Sequence, residues 1–266
     1  MYTLKANFHN HTRFSDGLYS PKHVLKFAKE RGFGLMVITD HNEYKGSVEF
    51  MELAAHEGII SFFGSELVFM DDGKISELLA YFRTKEDIES FFSEFQDDNF
   101  WPKCDDVGEL LTLVRKHNGV SIAPHPYGFK GLLGNGDEAD FSGIEIANAY
   151  ISPADNRRAK EYANSHPNRY HTFGAADLHV FPSALNAAYT VIESDEPITA
   201  DAVWDNLKGI SETMAFKGVG GSLPTWKRFL QECVICISVP KYLIRQDYNF
   251  FKLHNFHNFK KHHRKW

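Results

Sequence analysis

The feature that most constrains this chain is a repeat of short apolar runs, each ending in a polar, chemistry-bearing residue and each followed by a helical pattern. Leu35-Met36-Val37-Ile38-Thr39 is a continuous apolar run of the kind expected of a parallel strand covered on both faces, and it ends in Asp40-His41-Asn42. Residues 48–56 then place Phe50, Met51, Leu53 and Ala54 at helical spacing, Gly58 closes them, and the strand-like residues 59–65 lead to Glu66. Asp71-Asp72-Gly73 is a turn signal before the strand Leu78-Leu79-Ala80-Tyr81-Phe82. Two predicted helices follow, over residues 85–95 and 107–117, and Val120-Ser121-Ile122-Ala123 delivers Pro124-His125-Pro126. Residues 143–148 read as a strand ending at Asn148, residues 154–164 as a helix, and residues 170–176 run into Asp177-Leu178-His179. A last strand over 188–193 and a helix over 200–208 complete about seven alternations, which predicts a barrel or a closely related α/β architecture. In such folds functional groups sit just past the carboxyl ends of strands.

At 266 residues the chain is long enough for one such barrel and a short appendage, and 43% hydrophobic with 24% charged residues excludes a disordered chain. No apolar stretch approaches the ~20 residues that span a bilayer, and the N-terminal residues lack the apolar core of a secretory signal. Cys104, Cys233 and Cys236 are too few for a disulfide scaffold, so the expected location is cytoplasmic. Net charge is −6, unevenly spread: from residue 225 onward nine Lys or Arg face only Glu232 and Asp247, a net of +7, leaving the first 224 residues at −13. The tail and the body are therefore expected to meet different partners.

Near the start, Phe8-His9-Asn10-His11-Thr12 places two imidazoles on the same side of an extended segment, ~6–7 Å apart at the backbone, within reach of one divalent cation. Asp16 follows in a turn. His9, His11, Asp16, His41, Glu66, His125, Asp177 and His179 all fall at or just after predicted strand ends, and buried imidazoles and carboxylates are costly unless paired or metal-bound. Asp177-Leu178-His179 repeats the spacing of the first pair, so closing a barrel would bring the two together.

Five pieces, in order over roughly residues 1–215, resemble the PHP (polymerase and histidinol phosphatase) family: His9-Asn10-His11-Thr12 with Asp16-Gly17, Thr39-Asp40-His41-Asn42, Gly64-Ser65-Glu66, Ala123-Pro124-His125-Pro126 and Asp177-Leu178-His179. The resemblance implies a distorted seven-stranded (β/α)7 TIM-like barrel holding two or three divalent ions, usually zinc, manganese or iron. It implies that one ion takes His9, His11, Glu66 and Asp177, that Glu66 bridges to a second held also by His125, and that a third takes Asp16, His41 and His179. The same resemblance divides the chain into a catalytic barrel over residues 1–215 and a basic, aromatic extension over 216–266 that packs on the barrel or binds a partner surface.

One position departs from the pattern. Where many members carry a histidine just before the strand at Leu78, this chain has Glu77, which is either an oxygen ligand favouring harder ions such as manganese or a solvated residue beside a weak site. For substrate contacts, Asn148 lies at a strand end, Tyr150 stands where an arginine is expected, and Arg157 or Arg158 could supply charge for a phosphate; their alternative is an exposed helix start. Lys130, in a glycine-rich loop with Gly128, Gly131, Gly134 and Gly136, is a further cation of open role. Cys233-Val234-Ile235-Cys236 reads as buried thiols on an apolar element rather than as a metal or redox pair. Residues 249–266 mix Phe with Lys, Arg and His, a composition suited to nucleic acid or an anionic membrane surface, or to packing on the body.

The function expected is hydrolysis of a phosphate ester, either a phosphomonoester or a nucleotide or oligonucleotide, by attack of a metal-bound hydroxide. No dedicated protein acid is evident. The competing reading is a non-catalytic, metal-stabilised binding module acting through its basic tail, and a third is carbon–nitrogen bond hydrolysis, disfavoured by the lack of a metal-bridging lysine candidate.

Overall fold

In the computed structural model, which describes residues 1–71, 73–98, 102–135 and 140–244, the apolar runs build two sheets rather than one closed ladder. The first has the order β2-β1-β8-β9, formed by β1 (Tyr2–Asn7), β2 (Leu35–Met36), β8 (Ala188–Ser194) and β9 (Met214–Gly220). The second runs β3-β4-β5-β6-β7, formed by β3 (Phe63–Asp71), β4 (Lys74–Phe82), β5 (Val120–Ala123), β6 (Gly143–Asn148) and β7 (His171–Ala175). Among the described strands, β1 with β2, β5 with β6, and β6 with β7 are the pairs that run parallel. β3 and β4 form an antiparallel hairpin, β4 meets β5 antiparallel, and β8 runs antiparallel to both β1 and β9. The α/β class is as expected, but the strands pair as mixed sheets that do not close into a seven-stranded ladder, and the short turn at Gly73 imposes the antiparallel return of β4 on β3. Isolated parallel bridges, Leu35 to Ile60, His41 to Glu66 and Asn10 to Leu178, tie the sheets together at their seams.

Helices α1 (Pro21–Glu30), α2 (Lys45–Ala55), α3 (Lys85–Phe95), α4 (Val107–Lys116), α5 (Pro153–Ser165), α6 (Ala184–Ala187), α7 (Ala200–Leu207) and α8 (Thr225–Ile244) are joined by a 3-10 turn at Leu132–Asn135. Their starts follow local chemistry. Thr84, Asp106, Ser152 and Thr199 accept hydrogen bonds from the backbone N–H groups of Asp87, Glu109, Asp155 and Ala202, each worth ~1 kcal/mol, and Pro21 and Pro153 occupy first turns where no N–H is needed. The helices cover the sheets through apolar faces such as Ile88, Phe91, Phe92 and Phe95 of α3.

Between the sheets, Phe8 packs edge-on against Tyr81 and Phe173, with ring centroids 6.0 and 5.0 Å apart. The Tyr81 hydroxyl donates to the Phe8 carbonyl at 2.9 Å, so the core itself anchors the residue before His9. Among the described residues no helix is long and apolar enough to cross a membrane. Cys233 lies half-buried on α8, not fully buried as expected. The segment 249–266, Gly136 and Asp72 fall outside the described residues.

Candidate metal centre

The first predicted residues lie just beyond β1, in a segment pinned on both sides. Thr39 N–H donates to Asn10 O at 2.8 Å, while His11 N–H donates to Leu178 O at 2.9 Å and Asp177 N–H to His9 O at 3.0 Å. Residues 9–11 thus lie between the ends of β2 and β7, and this juxtaposition brings together side chains far apart in sequence. His9 Nε2 lies 3.0 Å from His11 Nε2, each is 3.1 Å from Glu66 Oε2, and each is 3.4 Å from Asp177 Oδ1. Ligand atoms sharing an ion at 2.0–2.2 Å lie about 3–3.5 Å apart, so these spacings fit a common cation.

A second group forms on the other side of the His11 ring. His11, Asp16, His41 and His179 each offer a ligand atom within 4.8 Å of the others. The Asp16 carboxylate is 3.2 Å from His179 Nε2, 3.6 Å from His11 Nδ1 and 3.7 Å from His41 Nε2. A third group is His41, Glu66 and Glu77, with His125 Nε2 beside it, 3.2 Å from Glu66 Oε1 and 3.5 Å from Glu77 Oε2. Glu77 is only 4% exposed, which removes the solvated alternative; its Oε1 takes the Lys130 ammonium at 2.6 Å. All nine predicted metal residues are buried and converge here. Two of them, His125 and Asp177, have φ of +26° and +50°, a costly conformation for residues with a Cβ and one that persists where the surroundings enforce it.

Electrostatics follow from this crowding. Burial opposes charge on His9, His11 and His125, yet neighbouring carboxylates outweigh it: His9 is raised well above the ordinary imidazole range, His11 to about 10 and His125 to about 9. Asp16 and Glu66 are likewise held well below the usual carboxylate range by surrounding imidazoles despite their burial. His41 goes the other way, to about 3, because desolvation dominates. The acids create a pocket whose potential favours positive charge, and His125 Nδ1 is a buried ring nitrogen with no hydrogen-bond partner. This donor set fits resident divalent cations.

Two supporting acids escaped sequence reasoning. Glu145 on β6 takes His9 Nδ1 at 2.8 Å with one oxygen, and accepts the His125 backbone N–H at 2.8 Å and the Asn148 amide at 2.9 Å with the other. Fixing the proton on Nδ1 leaves the Nε2 lone pair of His9 directed at the centre. Asp40 accepts from Thr12 N and Thr12 Oγ1 at 2.7 Å and from Ser15 Oγ at 2.8 Å, bracing the loop that carries His11 and Asp16. Asp40 lay in a quoted motif, but Glu145 looked like any charged residue within a strand; its position three residues before Asn148 was the only available clue. Asn148 is fully buried and donates to Glu145 and to Asp177 Oδ2, the latter at 3.3 Å, which commits its amide to orienting acids. Arg157 is not brought in: its side chain is exposed on α5, away from the cluster. Arg158 lies over the Tyr127 ring, 4.4 Å from its centroid.

Comparison with known proteins accords with this geometry. Over 160 residues the chain is 31% identical to the uncharacterized protein MJ1587 of Methanocaldococcus jannaschii, an overlap covering 55% of this chain and 83% of that one. Its fold is similar to that of a two-domain Bacteroides vulgatus protein containing a predicted PHP-like metal-dependent phosphoesterase, with a TM-score of 0.55 and 19% identity, covering 81% of this chain and 65% of that one. It is also similar to endonuclease Q bound to a 27-mer duplex with an abasic lesion at the active site, with a TM-score of 0.61 and 12% identity, covering 82% of this chain and 60% of that one. The sequence model of the PHP domain matches residues 7–166, a span that holds seven of the nine converging residues, and the chain belongs to the PHP domain family.

Proposed function

We propose that the chain is a metal-dependent phosphoesterase acting on a phosphomonoester, a nucleotide or an oligonucleotide. The observation that carries this reading is the convergence of five imidazoles and four carboxylates at ligand spacing, beyond what a closed structural site of about four ligands needs. Two or three divalent ions, zinc, manganese or iron, would be held by His9, His11, Glu66 and Asp177, by Asp16, His41 and His179 with His11, and beside His125, Glu66 and Glu77. Bound cations supply Lewis acidity toward a phosphoryl oxygen and acidify water at neutral pH.

The chain's own residues do the rest. Glu145 holds the His9 proton at Nδ1, Asp40 braces residues 12–15, and Asn148 fixes the Asp177 carboxylate. Arg157 or Arg158, exposed on α5 outside the cluster, is proposed to contact the substrate's outer charges. The two bridged sheets act as the barrel-like body, whose last strand β9 runs to Gly220 and so crosses the boundary expected at residue 215, and α8 is the described part of the extension lying on it. Support for that placement comes from α8, where Lys227 donates to Ser183 Oγ at 2.9 Å and the Gln231 amide approaches His179 Nδ1 at 3.4 Å.

The test is to purify the protein, measure its metals by elemental analysis, and assay phosphomonoesters, nucleotides and short oligonucleotides with added manganese. Turnover that His9→Ala and Asp177→Ala abolish is expected. Metal-replete protein inactive on every phosphate ester would refute the reading.

A further inference from the structure

The pairing of Lys130 with Glu77 changes what the third group of side chains can hold. Glu77 is fixed by the β3–β4 ladder, opposite Val68, so its carboxylate has little freedom to seek other partners. Two bonds join it to Lys130: the ammonium donates to Glu77 Oε1 at 2.6 Å, and Glu77 N–H donates to the Lys130 carbonyl at 3.1 Å. The lysine side chain is 11% exposed, which is unusual for a residue type that normally keeps its charge in water. Its φ of +68° turns both the carbonyl and the side chain of this loop residue toward the same neighbour. Such a doubly held, buried contact is a built feature, not a surface lysine finding a chance acid.

The other Glu77 oxygen is 3.5 Å from His125 Nε2, which is itself 3.2 Å from Glu66 Oε1. Lysine, glutamate, histidine and glutamate thus form one chain ending at the acid that the first and third groups share. A divalent ion beside Glu77 would share that carboxylate with an ammonium a few ångströms away, and like charges at such range in a buried site repel strongly. The ammonium also has a standing advantage, because it is tethered and an ion from solution is not.

We propose that the Lys130 ammonium is a resident cation of this centre: it takes the place beside Glu77, His125 and Glu66, so the protein binds two divalent ions and not three. This deepens the metal-dependent reading above and rests on it. The remaining ions belong to the group around His9, His11 and Glu66 and the group around His11, Asp16, His41 and His179. An imidazole at position 77 could not hold the ammonium in this way.

The experiment counts ions. Full-length protein stripped with chelator is titrated with manganese, desalted and analysed by elemental analysis, with electron paramagnetic resonance reporting coupled ions. Wild type is expected to retain two equivalents, Lys130→Met three, and Lys130→Arg two. Should Lys130→Met fail to fold, Glu77→His serves instead, because it removes the partner of the ammonium while supplying a neutral ligand, and three equivalents are again expected. Three equivalents in wild type, or two in folded Lys130→Met or Glu77→His, overturns the proposal while leaving the metal-dependent reading intact. No bound metal in any of the proteins overturns both.

Discussion

Replacing Glu145 by glutamine removes one charge and changes one atom, yet the hydrogen bonds around it make the consequence specific. One carboxylate oxygen takes His9 Nδ1 and the other takes the His125 N–H and the Asn148 amide, all at 2.8–2.9 Å. Glutamine has a single acceptor oxygen, so its amide nitrogen must face one of these sides. Keeping the oxygen toward His125 and Asn148 preserves two bonds and presents N–H to His9. The His9 ring then accepts at Nδ1, and its proton moves to Nε2, the atom 3.0 Å from His11 Nε2 and 3.1 Å from Glu66. A proton there blocks the lone pair that would bind an ion. Loss of such a supporting partner typically costs 10- to 100-fold in metal affinity, or about 1.4–2.7 kcal/mol. The opposite amide orientation spares His9 but faces N–H toward two buried donors, costing ~2 kcal/mol of folding stability. Competition with a chromogenic chelator measures the first quantity and urea unfolding of the chelator-treated protein the second. Glu145→Gln with metal affinity within twofold of wild type and an unchanged urea midpoint would refute the assignment of Glu145 as the acid that sets the His9 tautomer.

Two further outcomes follow from packing and charge. Gly17 has no room for a side chain, since a Cβ would sit 2.5 Å from the His11 carbonyl carbon and oxygen and 2.6 Å from Thr12 N, all backbone atoms that cannot yield. Gly17→Ala should therefore cost about 3 kcal/mol and displace Asp16 or His11; a wild-type urea midpoint and metal content would contradict this. In chelator the raised folded values of His11, about 10, and His125, about 9, against 6.5 unfolded, contribute stability that is complete below pH 6.5 and lost as pH climbs through 9 to 10. The depressed Asp16 and Glu66 act oppositely, contributing above about pH 4 and losing that contribution as pH falls further. His41, lowered by burial to about 3 against 6.5 unfolded, adds a contribution that is complete above pH 6.5 and lost as pH falls below it. The melting temperature of metal-free protein should thus peak near pH 6.5 and fall on both sides, while divalent metal, displacing the same protons, should remove the alkaline fall. A melting temperature that stays level or rises from pH 7 to 10 in chelator would count against the proton-loaded centre.

What the sequence by itself determined is local. Apolar runs, turn residues and capping residues placed most helices and strands within a few positions, and residues at strand ends named eight of the nine side chains that the fold gathers, Glu77 coming from the family resemblance, because each local signal acts over a few neighbouring residues. The antiparallel return of β4 on β3 follows from the short turn at Gly73, but the pairing of β8 with β1 was not legible, since it depends on which edges meet once the chain has collapsed. Glu145 and Lys130 show the same limit at the centre itself. Nothing near either residue in sequence distinguishes it from a solvated charge; only the juxtaposition of β6 with residues 9–11, and of residue 130 with β4, gives one His9 to orient and the other Glu77 to neutralise. Ligand types are written in short motifs, whereas tautomer, charge balance and the number of ions a centre can hold depend on atoms brought within 3 Å of each other by remote parts of the chain.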